Sequence, residues 1–88
     1  MRALLLRSLD GPNGLSPADV PEPNDADRVI INVHVAGVSY ADSLVARGKY
    51  QLRVPLPFIP GTEVAGRVRA APPESRFRPG DRVAAFVR

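Results

Sequence analysis

The sequence predicts a mainly β fold: a small, mostly antiparallel barrel carrying one short helix. Three observations predict it. Ten prolines and seven glycines among 88 residues impose frequent turns and leave no room for a long helical bundle. Residues 28–37 alternate apolar and polar with a period of two, the pattern of a half-buried strand. Helical spacing occurs in a single short stretch, just after Gly37. A chain this short buries only about two thirds of its unfolded surface, so the expected core is thin.

The elements follow in order. Residues 1–7, Met1-Arg2-Ala3-Leu4-Leu5-Leu6-Arg7, read as a first strand closed by the turn Asp10-Gly11-Pro12-Asn13-Gly14. Residues 15–20 form a weaker extended stretch, ended by Pro21-Glu22-Pro23. Prolines withhold ladder donors, which suits an edge or a connection. In the strand at 28–37, Val29, Ile31, Val33 and Val35 are expected on the buried face. Ile30, Asn32, His34 and Ala36 take the other, with His34 exposed.

The period then changes. Ser39-Tyr40-Ala41-Asp42 has the capping-box form, and Ala41, Leu44 and Val45 follow at helical spacing. Arg47-Gly48 supplies a basic last turn and a glycine stop, so a helix is expected from about Tyr40 to Arg47. Residues 49–61 contain Pro55, Pro57 and Pro60 and are expected to be a rigid extended loop. Residues 62–71 read as a strand, with Val64, Gly66, Val68 and Ala70 opposite Glu63, Ala65, Arg67 and Arg69. Gly66 is expected to allow close packing of neighbouring strands. Pro79-Gly80 signals a type II turn, and residues 82–87 open a last strand in which the chain stops.

Composition excludes several functions. Zero cysteine rules out a disulfide framework and any thiolate-bound metal. The net charge of +3 comes from 12 basic and 9 acidic residues. The arginines are dispersed and no aromatic series accompanies them, so nucleic acid is not an expected partner. No apolar run approaches the roughly 20 residues that cross a bilayer, and no membrane association is expected. The opening residues lack the pattern of a secretory signal, so a cytoplasmic location is expected.

Three motif clusters carry a resemblance. They are Gly37-Val38-Ser39-Tyr40-Ala41-Asp42; Arg47-Gly48-Lys49-Tyr50; and Pro55-Leu56-Pro57-Phe58-Ile59-Pro60-Gly61-Thr62-Glu63-Val64-Ala65-Gly66. With Phe77-Arg78-Pro79-Gly80-Asp81-Arg82-Val83, they make the chain similar to the N-terminal part of medium-chain dehydrogenases/reductases. The resemblance is to the zinc-free NADPH:quinone oxidoreductase branch and covers nearly the whole chain. It implies a partial GroES-like β-barrel that works against a Rossmann cofactor domain, with hydride passing from NADPH to a quinone or an enone. Zinc-dependent relatives carry cysteine where this chain has Ser39 and histidine where it has Thr62. The resemblance thus implies no catalytic zinc.

The same resemblance implies the site residues. Tyr50 matches the tyrosine of the family's R-x-G-x-Y segment near nicotinamide and substrate, where its phenol would act as the catalytic hydrogen-bond donor. Packing of the proline loop is the alternative reading of that ring. Ser39 and Tyr40 fall where the family contacts the NADP nicotinamide end, although Ser39 replaces the usual asparagine and also reads as a helix N-cap. Asp42 reads as a cap, and Glu63 as a structural carboxylate partnered by an arginine or by backbone.

No G-x-G-x-x-G/A segment occurs, and hence no cradle for a pyrophosphate. Residues 1–88 are therefore expected to be one incomplete GroES-like domain, inactive alone, with the cofactor domain absent or on a second chain. Two alternatives stand beside this reading. One is a free-standing interaction or scaffold module that dimerises through exposed strand edges. The other is an enoyl reductase segment.

Overall fold

The structure, a computed structural model, describes residues 1–50 and 54–87. Part of the expected proline loop, at 51–53, therefore lies outside the described residues. The chain gathers into two compact units: Met1–Pro21 with Val38–Gly61, and Glu22–Gly37 with Thr62–Arg88. No described helix is long and apolar enough to cross a membrane.

In the first unit, β1 (Arg2–Leu6) and β2 (Leu15–Asp19) pair antiparallel, from Leu6 opposite Leu15 to Arg2 opposite Asp19. The expected turn between them is a 3-10 turn at Gly11–Gly14, where Pro12 presets the backbone and Gly11 takes a φ of 65°. The Arg7 N–H donates to the Gly14 carbonyl at 2.8 Å and closes the hairpin. Part of the proline loop then joins β1. Leu6 and Phe58 exchange backbone hydrogen bonds of 2.7 and 3.0 Å, and the Leu6 side chain is completely buried. Leu5 and Ala46 are also buried, the latter from α1 (Tyr40–Ala46). This is a thin core, as expected from the length.

Helix α1 begins and ends where its residues dictate. The Asp42 carboxylate accepts from the Ser39 N–H at 2.9 Å, and the Asp42 N–H donates to the Ser39 carbonyl at 3.1 Å. At the other end, the Gly48 N–H donates to the Val45 carbonyl at 3.0 Å, and the Lys49 N–H to the Leu44 carbonyl at 2.8 Å. That pair of bonds, with Gly48 at a φ of 69°, is a Schellman stop. The helix is one residue shorter than expected, since Arg47 serves as its cap.

The second unit is a three-stranded antiparallel sheet in the order β3 (Ile30–Gly37), β4 (Glu63–Ala70) and β5 (Arg82–Phe86). The Arg78-Pro79-Gly80-Asp81 turn joins β4 to β5. Its Asp81 N–H donates to the Arg78 carbonyl at 3.0 Å, and Gly80 has a φ of 94°, as a type II turn requires. Val68, toward the C-terminal end of β4, is buried.

One expectation fails in β3. Val33 lies opposite Gly66 while Val35 lies opposite Ala65, so His34 is an extra residue, a β-bulge. Directly paired residues share a face, and the bulge therefore puts Val33 and Val35 on different faces. They are 53% and 64% exposed rather than buried together. His34 is exposed, as expected.

The two sheets hold β1–β2 and β3–β4–β5, and neither is closed into a barrel. The fold is the strand-rich, one-helix partial form that the sequence predicts.

Candidate functional site

Two of the sequence-predicted site residues open α1 and the third follows its stop. Ser39 is half-buried, its N–H held by the Asp42 carboxylate, so the backbone before the helix is fixed in position. Tyr40, the first helical residue, is 79% exposed and free to meet a ligand. Tyr50 is half-buried, two residues beyond Gly48. The seven-residue helix spans roughly 10 Å, so Ser39 and Tyr40 enter it at one end and Tyr50 leaves at the other. The first unit thus holds all three, two at the capped start of α1 and one just past its stop.

Thr62 and Glu63 belong to the second unit, at the start of β4. Both are exposed. Glu63 stands opposite Gly37 on one side and Phe86 on the other. A Cβ at Gly37 would fall 2.0 Å from Glu63 Oε1, so the missing side chain makes room for the carboxylate. The arginine expected to partner Glu63 is not found among the described residues. The ion pairs there join Arg28 to Asp25 and Arg69 to Glu22 instead. Strand register explains the difference: Arg67 and Arg82 pair with each other at the far end of the β4–β5 ladder, and Arg69 lies beyond them, bound to Glu22.

The same sheet carries a feature that the sequence reading missed. Val35, Ala65, Ala84 and Phe86 line an open concavity with Gly37 and Glu63. Phe86 is 85% exposed. The signal was present in the apolar run Val83-Ala84-Ala85-Phe86-Val87, but its placement depends on the register of β4 and β5.

These elements and motifs define a class. Residues 25–87 match the alcohol dehydrogenase GroES-like domain, and the chain belongs to that family within the medium-chain dehydrogenases/reductases. It is 38% identical over 87 residues to the human quinone oxidoreductase, covering 94% of this chain and 26% of that protein. Among solved structures it is similar to a probable oxidoreductase from Mycobacterium abscessus, with a TM-score of 0.89 and 44% identity. That likeness covers 99% of this chain and 28% of the other. It is also similar to the Thermus thermophilus quinone oxidoreductase, solved alone and in complex with NADPH. There the TM-score is 0.70 and the identity 36%, over 97% of this chain and 30% of that one. The chain thus spans less than a third of the length of each of these relatives.

The donor set of this chain can be tested against zinc and NADP. Zinc of the alcohol dehydrogenase type needs thiolates and imidazoles. This chain has no cysteine and one histidine, His34, on β3. Among the described residues no three His, Asp or Glu side chains are gathered in a metal-binding group. Zinc does not fit the residues present. For NADP the fit is partial: the chain has no glycine-rich pyrophosphate cradle, but Ser39 and Tyr40 present a hydroxyl and a phenol at a fixed helix start.

Proposed function

We propose that this chain is the catalytic-domain segment of a cytoplasmic, zinc-free oxidoreductase that reduces quinones or enones with NADPH. The observation that supports it most is the family match over residues 25–87 combined with hydroxyl residues, Ser39 and Thr62, where zinc-dependent relatives carry ligands. The segment forms one wall of the site and requires a Rossmann cofactor domain, on the same or another chain. Alone it is inactive.

NADPH, when bound, supplies a hydride to the substrate. The residues of this chain then position and stabilise. Tyr50 donates its phenol hydrogen to the substrate carbonyl oxygen, where negative charge develops as hydride arrives. Ser39 and Tyr40 hold the nicotinamide end, kept in place by the Asp42 cap. A quinone takes up the hydride and one proton and becomes the hydroquinone; an enone becomes the saturated ketone.

The test joins this chain in frame to the cofactor domain of a quinone oxidoreductase and follows NADPH oxidation. Oxidation that requires a quinone or an enone supports the reading. A joined protein that folds and binds NADPH, yet reduces neither acceptor, contradicts it.

A further inference from the structure

The three-stranded sheet carries a charge arrangement that the catalytic reading does not use. Asn32, Arg67 and Arg82 stand in one row across β3, β4 and β5, since Arg67 pairs directly with each of the other two. Directly paired residues share a face, here the one opposite the buried Val68, and both arginines are exposed on it. Arg69, two residues along β4, lies on the same face and is satisfied. Its Nε donates to Asn32 Oδ1 at 2.6 Å, and its guanidinium meets the Glu22 carboxylate at 3.3 Å. Arg67 and Arg82 have no such partner. All nine Asp and Glu residues lie among the described residues, yet the ion pairs there join Arg28 to Asp25 and Arg69 to Glu22. Asp81, next to Arg82, accepts from the Arg78 N–H at 2.9 Å. Glu63 stands four residues from Arg67, about 13 Å along β4. Like charges directly opposite each other across a ladder oppose folding, and an anion between them removes that opposition.

The surroundings are shaped for such an anion. His34, the extra residue of the bulge, lines an open concavity with Ala65, Gly66, Arg67, Arg82 and Val83. Arg67 donates one guanidinium N–H to the Gly80 carbonyl at 3.2 Å, which steadies the group and leaves its other N–H groups for a ligand. The Cβ atoms of a directly opposed pair lie about 5 Å apart, so two guanidinium forks can converge on one tetrahedral oxyanion. Two such charges balance a phosphate group, which is mostly dianionic above about pH 6. The imidazole of His34 adds an N–H donor. Positive charge does not continue along the face. Val35, Ala65 and Ala84 are apolar, and Glu22 neutralises Arg69. A long polyanion would therefore gain little beyond its first phosphate.

We propose that Arg67, Arg82 and His34 form a binding site for a single phosphate-type dianion. The site occupies a face of the sheet, uses neither of its edges, and stands apart from the hydride chemistry.

Titration of the isotope-labelled chain with inorganic phosphate, read by amide NMR at an ionic strength held constant with chloride, provides the test. The expected result is saturable shifts confined to the amides around His34, Arg67 and Arg82, with a dissociation constant of about 1 mM or tighter. Arg67→Gln and Arg82→Gln are each expected to weaken binding at least about tenfold. Arg76→Gln removes the same charge from the segment between β4 and β5 and is expected to change it less than about twofold. Phenyl phosphate binding more tightly than inorganic phosphate would identify the ligand as a phosphate monoester, and equal binding would identify it as free phosphate. The chain joined to a cofactor domain, titrated without NADPH, is expected to bind within about threefold of the same constant. Shifts that never saturate, equal weakening by Arg76→Gln, or loss of binding in the joined protein would each overturn the proposal.

Discussion

Gly66 on β4 lies so close to Asn32 on β3 that a Cβ placed there would come within 2.0 Å of the Asn32 carbonyl oxygen and 3.1 Å of the His34 nitrogen. The crowding comes from the bulge at His34, which presses the β3 backbone into the space above Gly66. Backbone atoms cannot swing aside as a side chain would.

Gly66→Ala is therefore expected to destabilise the chain by about 3 kcal/mol, or to abolish folding. Urea unfolding followed by circular dichroism measures it. A loss of less than about 0.5 kcal/mol, the range of an ordinary surface change, would show that the strands separate freely.

The Leu6 side chain is fully buried, and its backbone joins β1 to Phe58. Leu6→Ala leaves the backbone bonds intact and opens a cavity in the first unit. The expected loss is about 2–5 kcal/mol. An unchanged urea midpoint would mean that the unit collapses around the gap or contributes nothing to the transition.

Asp42 holds the N–H of Ser39 and so fixes the start of α1. Asp42→Ala leaves that donor unpaired, with an expected loss of about 1 kcal/mol of stability. Amide hydrogen exchange localises the effect: Ser39 and the first turn of α1 should exchange faster, while β3 and β4 stay protected. Uniform acceleration across both units would instead point to a global role.

Tyr50→Phe removes the phenol hydrogen bond donor and keeps the ring. In the chain joined to a cofactor domain, the reading of Tyr50 as a transition-state donor predicts a fall of about tenfold to a hundredfold in kcat with little change in KM. Equal kcat values would assign Tyr50 to packing of the proline loop.

What was legible in the sequence was local. Ser39, Asp42 and Gly48 mark the ends of α1, and Pro79-Gly80 marks the turn before β5, because these residues act on backbone within a few positions of themselves. Long-range register was not legible. No pattern in 28–37 announces that His34 will bulge, since the cause is the register that sets Val33 opposite Gly66 and Val35 opposite Ala65, far along the chain. The same distance hid the Leu6–Phe58 pairing and the lack of an arginine beside Glu63. The candidate site divides in the same way. Ser39, Tyr40 and Tyr50 could be named from motifs flanking one helix, whereas the concavity lined by Val35, Ala65, Ala84 and Phe86 emerges only from the strand register.

The central claim is that the chain is a catalytic segment requiring a cofactor domain. NADPH oxidation in the presence of a quinone, measured side by side for the chain alone and for the chain joined to a Rossmann domain, tests it most directly. The account predicts no turnover above the uncatalysed rate for the chain alone and quinone-dependent turnover for the joined protein. Turnover by the chain alone, or a folded and NADPH-bound joined protein without it, would contradict the account.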